Sequence, residues 1–187
     1  MERWSANLHC MEIDAQTAAA LGWPKLKYAW VERERRWLCR ELPQALVRRS
    51  ERITDLYVTG TNLRLREATP LDGGPAMRRL GRKADVSASV RLLTSIYLAP
   101  AEFDLLSALP GRTLRKTRHH LGPIAGAEVS VDVFEGELDG LIMAEAEFET
   151  MEALQAYPPP PFAVREVTED HRFSGGQLVT AGLPPLD

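Results

Sequence analysis

The sequence predicts an α+β chain dominated by β-structure, in which eight antiparallel strands close on themselves and a few short helices flank them. Three observations predict it: eight strand-like segments recur at regular spacing, turn chemistry separates them, and helical patterning is confined to short stretches. The strands fall at residues 28–38, 53–58, 62–68, 77–83, 90–98, 113–121, 128–134 and 141–149. Thr59, Gly60, Thr61 and Asn62 form one turn, and Asp72, Gly73, Gly74 and Pro75 another, because glycine and short polar residues accept the backbone angles that turns demand.

Residues 14–21 have helix-forming composition and Gly22, Trp23 and Pro24 end the helix, so 1–27 reads as a partly helical N-terminal extension and 28–187 as the main domain. A short helix is expected at 43–50, where Leu42 and Leu46 share a face. A second, at 100–109, opens on Pro100 and carries acids in its first turn, with Phe103, Leu106 and Leu109 at helical spacing. Thr150 caps a third at 150–156, which runs into prolines at 158–161 that brace the domain.

Composition limits what such a fold does. The chain has 187 residues, 44% hydrophobic and 26% charged, which is enough apolar content for one buried core and excludes disorder. Its 23 Lys and Arg against 26 Asp and Glu give a net charge of −3, the wrong balance for a protein whose main partner is nucleic acid. Cys10 and Cys39 are too few for a disulfide framework and lack zinc or redox spacing, so both read as reduced thiols. No segment approaches the roughly 20 apolar residues that span a bilayer, and Glu2, Glu12 and Asp14 do not suit a secretory signal. A cytoplasmic protein with no membrane partner is the expectation.

The charges are placed unevenly. Strand residues of equal parity share a face, which puts Glu32, Glu34 and Arg36 together, and likewise Arg64 with Arg66, Lys116 with Arg118, Ser130 with Asp132, and Glu145 with Glu147. Alternating charge is ordinarily the solvated face of a half-buried sheet. Two features oppose that here. The first strand has no apolar face, since Val31, Arg33, Arg35 and Trp37 oppose its charged set, and the pairs sort by sign, acids on the first and last strands and bases between them. Closed inward, such strands line a channel with carboxylates on one wall and cations on the other. Clustered carboxylates suit hard divalent cations and multiple Arg and Lys suit phosphate oxygens. A metal-bound polyphosphate satisfies both walls.

Glu32, Arg33, Glu34, Arg35 and Arg36 resemble the ExExK signature of CYTH domain proteins, the triphosphate tunnel metalloenzymes, with arginine in the lysine position. The likeness continues through Leu63 to Arg66, Arg115 to Arg118, Val131 to Gly136, Glu145 to Glu147, the proline run and Arg165 to Asp170, and it covers about 28–180 in order. The resemblance implies an eight-stranded antiparallel β-tunnel acting on triphosphates with Mg2+ or Mn2+. It further implies that Glu32, Glu34, Asp132, Glu145 and Glu147 hold metal or position water, and that Arg36, Arg64, Arg66, Lys83, Arg91, Lys116 and Arg118 grip phosphates, with Glu34 and Arg36 at the reaction centre. Those seven cations exceed the five carboxylates by two charges, which with one divalent ion suits the roughly four to five negative charges of tripolyphosphate.

Two departures stand out. Arg36 alters donor geometry, and Ser174, Gly175, Gly176 and Gln177 occupy a stretch where related proteins often place a base, leaving His171 and Arg172 nearby. The leading reading is an inorganic triphosphatase with a small-molecule triphosphate substrate, as monomer or homodimer. The alternatives are an organic triphosphate hydrolase (thiamine triphosphate or nucleotide), a class IV adenylate cyclase, and a non-catalytic polyphosphate-binding module. No aromatic pair is placed to stack a ring, Trp30 sharing only the Glu32 face. His119 and His120 point to opposite faces, so at most one joins the site, and Gly175 with Gly176 reads as a turn.

Overall fold

Two-faced strands need both faces covered, and the computed structural model, which describes residues 13–186, shows how this chain covers them. The strands are β1 (Trp30–Cys39), β2 (Arg49–Val58), β3 (Leu63–Pro70), β4 (Met77–Asp85), β5 (Val90–Tyr97), β6 (Gly111–Ile124), β7 (Ala127–Phe134), β8 (Ile142–Glu147) and β9 (Ala163–Glu166). The helices are α1 (Ala15–Ala20), α2 (Pro100–Ser107), α3 (Met151–Ala156) and α4 (Gly175–Ala181). The order β5-β4-β3-β2-β6-β7-β8-β1, with β5 also paired to β1, closes eight antiparallel strands into the expected barrel. Closure removes the free edges that open sheets expose.

The ninth strand completes β1. One edge of β1 pairs with β8. The other pairs with β5 over Trp30 to Arg33 and with β9 over Trp37 to Cys39. The proline run therefore braces the barrel by delivering β9 to the edge that β5 leaves.

Three apolar clusters surround the charged interior. Outside β1, β6, β7 and β8, Trp37, Val129, Val131, Ala144 and Ala146 pack under Phe148, Leu154 and Tyr157. Trp37 is 1% exposed, so the outer face of β1 is apolar at Trp37 where α3 covers it; Arg35 binds Glu166 and the Leu154 and Tyr157 carbonyls, and Arg33 the Glu149 carbonyl. The reading of β1 as polar on both faces is thus corrected at Trp37, while Arg33 and Arg35 keep polar partners. At one end, Leu38, Leu114, Phe134, Leu141 and Met143 meet Phe173 and Leu178 of the C-terminal segment. Over β4 and β5, Ala18 and Trp23 of the N-terminal segment cover Ala84 and Leu92.

Two local expectations are corrected. The helix at 43–50 is only a 3-10 turn, Gln44–Leu46, because Arg49 and Ser50 pair with His120 and His119 of β6 and extend β2 instead. Gly175 and Gly176 do not form a turn: Ser174 caps Gln177 N–H and the glycines open α4. Cys10, Glu2 and Glu12 lie outside the described residues. No helix among the described residues is long and apolar enough to cross a membrane.

Candidate active site

The inward faces of the strands line a cavity of about 1210 Å³. Its lining includes Trp30, Arg79, Glu128 and Glu147 near one set of strand ends, and Thr61, Asn62, Ser174, Gly175 and Gln177 near the other. Of the residues expected in the site, Glu32, Glu34, Arg36, Arg64, Arg66, Lys83, Arg91, Lys116, Arg118, Glu145 and Glu147 all line it. Asp132 stands behind the wall at 0% exposure, its oxygens held by Lys116 and Arg118. Neither His119 nor His120 lines it; they bind Ser50 and Glu51.

Cations and carboxylates pair throughout. Lys83 Nζ lies 2.6 Å from Glu32 Oε2, Arg91 reaches both Glu34 and Asp85, and Arg118 joins Asp132 to Glu145. Buried charges survive only with such compensation. Burial opposes ionisation of Glu32, but Lys83 and then Arg91 outweigh it and hold that carboxyl below its usual value. Burial likewise opposes the Glu145 charge, and Arg118, Lys116, Arg36 and Lys83 together hold it well below.

Arg36 spends its fork on backbone. Its Nη1 donates to the Phe173 carbonyl at 2.9 Å and Nη2 to the Thr168 carbonyl at 3.2 Å, while Nε lies 3.5 Å from Glu34 Oε1. It therefore ties the C-terminal segment to the barrel and steadies Glu34. The same segment supplies Ser174 and Gly175 to the lining, and a Cβ on Gly175 would overlap the Tyr57 hydroxyl and stand 3.0 Å from its Cζ.

Three site residues escaped the sequence reading. Asp55, 1% exposed on the inner face of β2, takes both Arg66 donors at 2.7 Å and has Arg64 Nε 3.6 Å away. Glu128, opposite Glu147 across β7 and β8, lines the cavity. Arg79 faces Arg66 across β3 and β4. The inner-face parity of Glu51, Ile53, Asp55 and Tyr57 was the available signal for Asp55.

Among the described residues, no three acid, imidazole or thiol groups already converge as a metal cage. The donor chemistry fits a hard divalent ion all the same. Glu34 and Glu147 are directly opposed across β1 and β8, an arrangement of like charges that destabilises a sheet. Glu147 has no ion-pair partner among the described residues, and burial, then the Glu145, Glu32 and Glu34 charges, push its pKa up against the pull of Arg118. A cation among these oxygens relieves that repulsion.

Fold and site define a closed β-barrel with a charged cavity of a size and polarity suited to a small polyanion. No family model matches the chain. It is 38% identical over 84 residues to the inorganic triphosphatase of Nitrosomonas europaea, a match that takes in 44% of this chain and 56% of that protein, little more than half the relative's length. The solved structure of the inorganic triphosphatase NE1496 superposes with a TM-score of 0.54 at 28% identity, covering 79% of this chain and 93% of that one. A putative adenylyl cyclase from Hippeastrum, described as having a dominant triphosphatase activity, shares the fold at a TM-score of 0.50 and 10% identity, over 83% and 97% of the two chains.

Proposed function

We propose that this chain is a triphosphate tunnel metalloenzyme of the CYTH family that hydrolyses tripolyphosphate to pyrophosphate and phosphate with Mg2+ or Mn2+. The observation that carries the reading is the cavity itself, where Glu32, Glu34, Glu145 and Glu147 share one enclosure with Arg64, Lys83, Arg91, Lys116 and Arg118. The similarity to an inorganic triphosphatase supports the same substrate.

In this mechanism Glu32, Glu34, Glu145 and Glu147 would hold the divalent ion, with Asp132 acting from behind through Lys116 and Arg118. The bound ion supplies neutralisation of phosphate charge and polarisation of its oxygens. Arg64, Arg66, Lys83, Arg91, Lys116 and Arg118 bind non-bridging oxygens and align the chain for in-line attack. Glu34, steadied by Arg36 and Arg91, orients the water and takes its proton. The new P–O bond forms at the terminal phosphorus as the bridging P–O bond breaks, and pyrophosphate leaves.

Orthophosphate release is measured over tripolyphosphate, pyrophosphate, ATP and thiamine triphosphate with each metal. The expected outcome is metal-dependent release from tripolyphosphate that Glu34→Ala lowers at least a hundredfold, about 2.7 kcal/mol in barrier. Preferential turnover of ATP or thiamine triphosphate moves the assignment to an organic substrate, and binding without turnover makes this a polyphosphate-binding module.

A further inference from the structure

Arg79 is a cavity cation without an ion pair among the described residues, Glu51 being the acid whose charge reaches it. It stands on the inner face of β4, directly across from Arg66 on β3 and Tyr97 on β5. Each cation expected to grip phosphate has an acid partner. Arg79, although half-buried and part of the lining, has neither an ion pair nor a hydrogen bond among the described residues. Asp55 makes its ion pairs with Arg66 and Arg64 and none with Arg79.

An unpaired guanidinium facing another guanidinium is unfavourable in an enclosure. Burial, followed by the Arg66 and Arg64 charges, lowers the Arg79 pKa against the weaker pull of Tyr97 and Glu51. The inner face of β4 runs Lys83, Gly81, Arg79, and a Cβ on Gly81 would meet nothing closer than 3.8 Å. Gly81, which also lines the cavity, separates two cations that lie four residues apart, roughly 13 Å of strand. The far cation of that interval, Arg79, makes no ion pair among the described residues, so a phosphate that reaches it has no bound acid to displace.

We propose that Arg79, beside Arg66, forms a further anion subsite that lets the cavity take linear phosphate chains of four or more units. The subsite rests on the triphosphatase reading above. Its guanidinium donates to the oxygens of the phosphate beyond the third, and its repulsion with Arg66 is relieved only when that phosphate is bound.

The test is titration calorimetry of the full-length protein, without metal, with tripolyphosphate and tetrapolyphosphate, alongside thermal melts. Wild type is expected to bind tetrapolyphosphate at least fivefold more tightly than tripolyphosphate, and Arg79→Gln to weaken tetrapolyphosphate at least tenfold more than tripolyphosphate. The ligand-free melting temperature of Arg79→Gln is expected to rise, since a repulsive charge is removed; a structural arginine would lower it. Equal weakening of the two ligands, or a lowered melting temperature, overturns the subsite and leaves the triphosphatase reading intact. If wild type binds neither chain and turns over neither with metal added, the reading on which the subsite rests fails first.

Discussion

Asp55 shows how much one buried carboxylate organises. It sits beneath the cavity with Arg66 bound through two donors and Arg64 beside it, and although burial opposes its charge, those arginines hold its pKa far below the ordinary 3.8. Removing one partner of a buried pair leaves an uncompensated charge, typically at a cost of about 3–5 kcal/mol. Asp55→Asn is therefore expected to lose stability on that scale, read from the urea midpoint at pH 7. A depressed carboxyl pKa stabilises the fold fully above its unfolded value and loses that contribution as pH falls through the folded one. The difference between wild type and Asp55→Asn should hold from pH 5 to 9 and shrink only in strong acid, below the unfolded 3.8; narrowing between pH 8 and 6 would sink this role. The residue was hidden in the sequence by the company it keeps. Glu145 and Glu147 announce a charged face by repetition, whereas a single Asp55 among Ile53, Thr54, Leu56 and Tyr57 looks like an isolated polar position.

Elements were legible where side-chain period decided them and obscure where long-range pairing did. The eight barrel strands follow from their spacing and turn chemistry, with alternation marking five of them, but residues 43–50 have an acceptable helical pattern and became strand at Arg49 because β6 offers a ladder there. The four residues of β9 are too short for a pattern, and only the unpaired edge of β1 explains them. The glycines of α4 argue against a helix by propensity, yet one of them is required by packing: a Cβ on Gly175 would overlap the Tyr57 hydroxyl, whereas one on Gly176 would meet nothing. Gly175→Ala should lower the melting temperature by several degrees, about 1–3 kcal/mol of overpacking, and cut turnover by displacing Ser174 and Gly175 from the cavity lining. Tyr57→Phe removes the overlapping oxygen, so in a double-mutant cycle Gly175→Ala should cost less when combined with Tyr57→Phe than it does alone. Additive penalties would mean that α4 is set by something other than this contact.

Across the whole molecule, the barrel stores its reactive groups as internal ion pairs that join the two ligand classes it is proposed to bind. Lys83 is tied to Glu32, Arg91 to Glu34 and Arg118 to Glu145, so each of these pairs unites a cation proposed to grip phosphate with a carboxylate proposed to hold metal. A phosphate that draws Lys83 away frees Glu32, and a metal that engages Glu32 frees Lys83. Phosphate and metal should therefore bind with positive coupling, of equal size whichever binds first. The coupling separates from simple metal–phosphate attraction in Glu32→Gln. Without metal, the released Lys83 and the lost negative charge should tighten tripolyphosphate roughly tenfold, about 1.4 kcal/mol, while metal should enhance its binding less than it does in wild type. Calorimetric titration with tripolyphosphate, in chelator and then in Mg2+, reads both effects on one protein. If Glu32→Gln weakens metal-free binding, the carboxylate is helping to hold the phosphate-binding geometry rather than restraining Lys83, and the exchange of partners cannot be the source of the coupling.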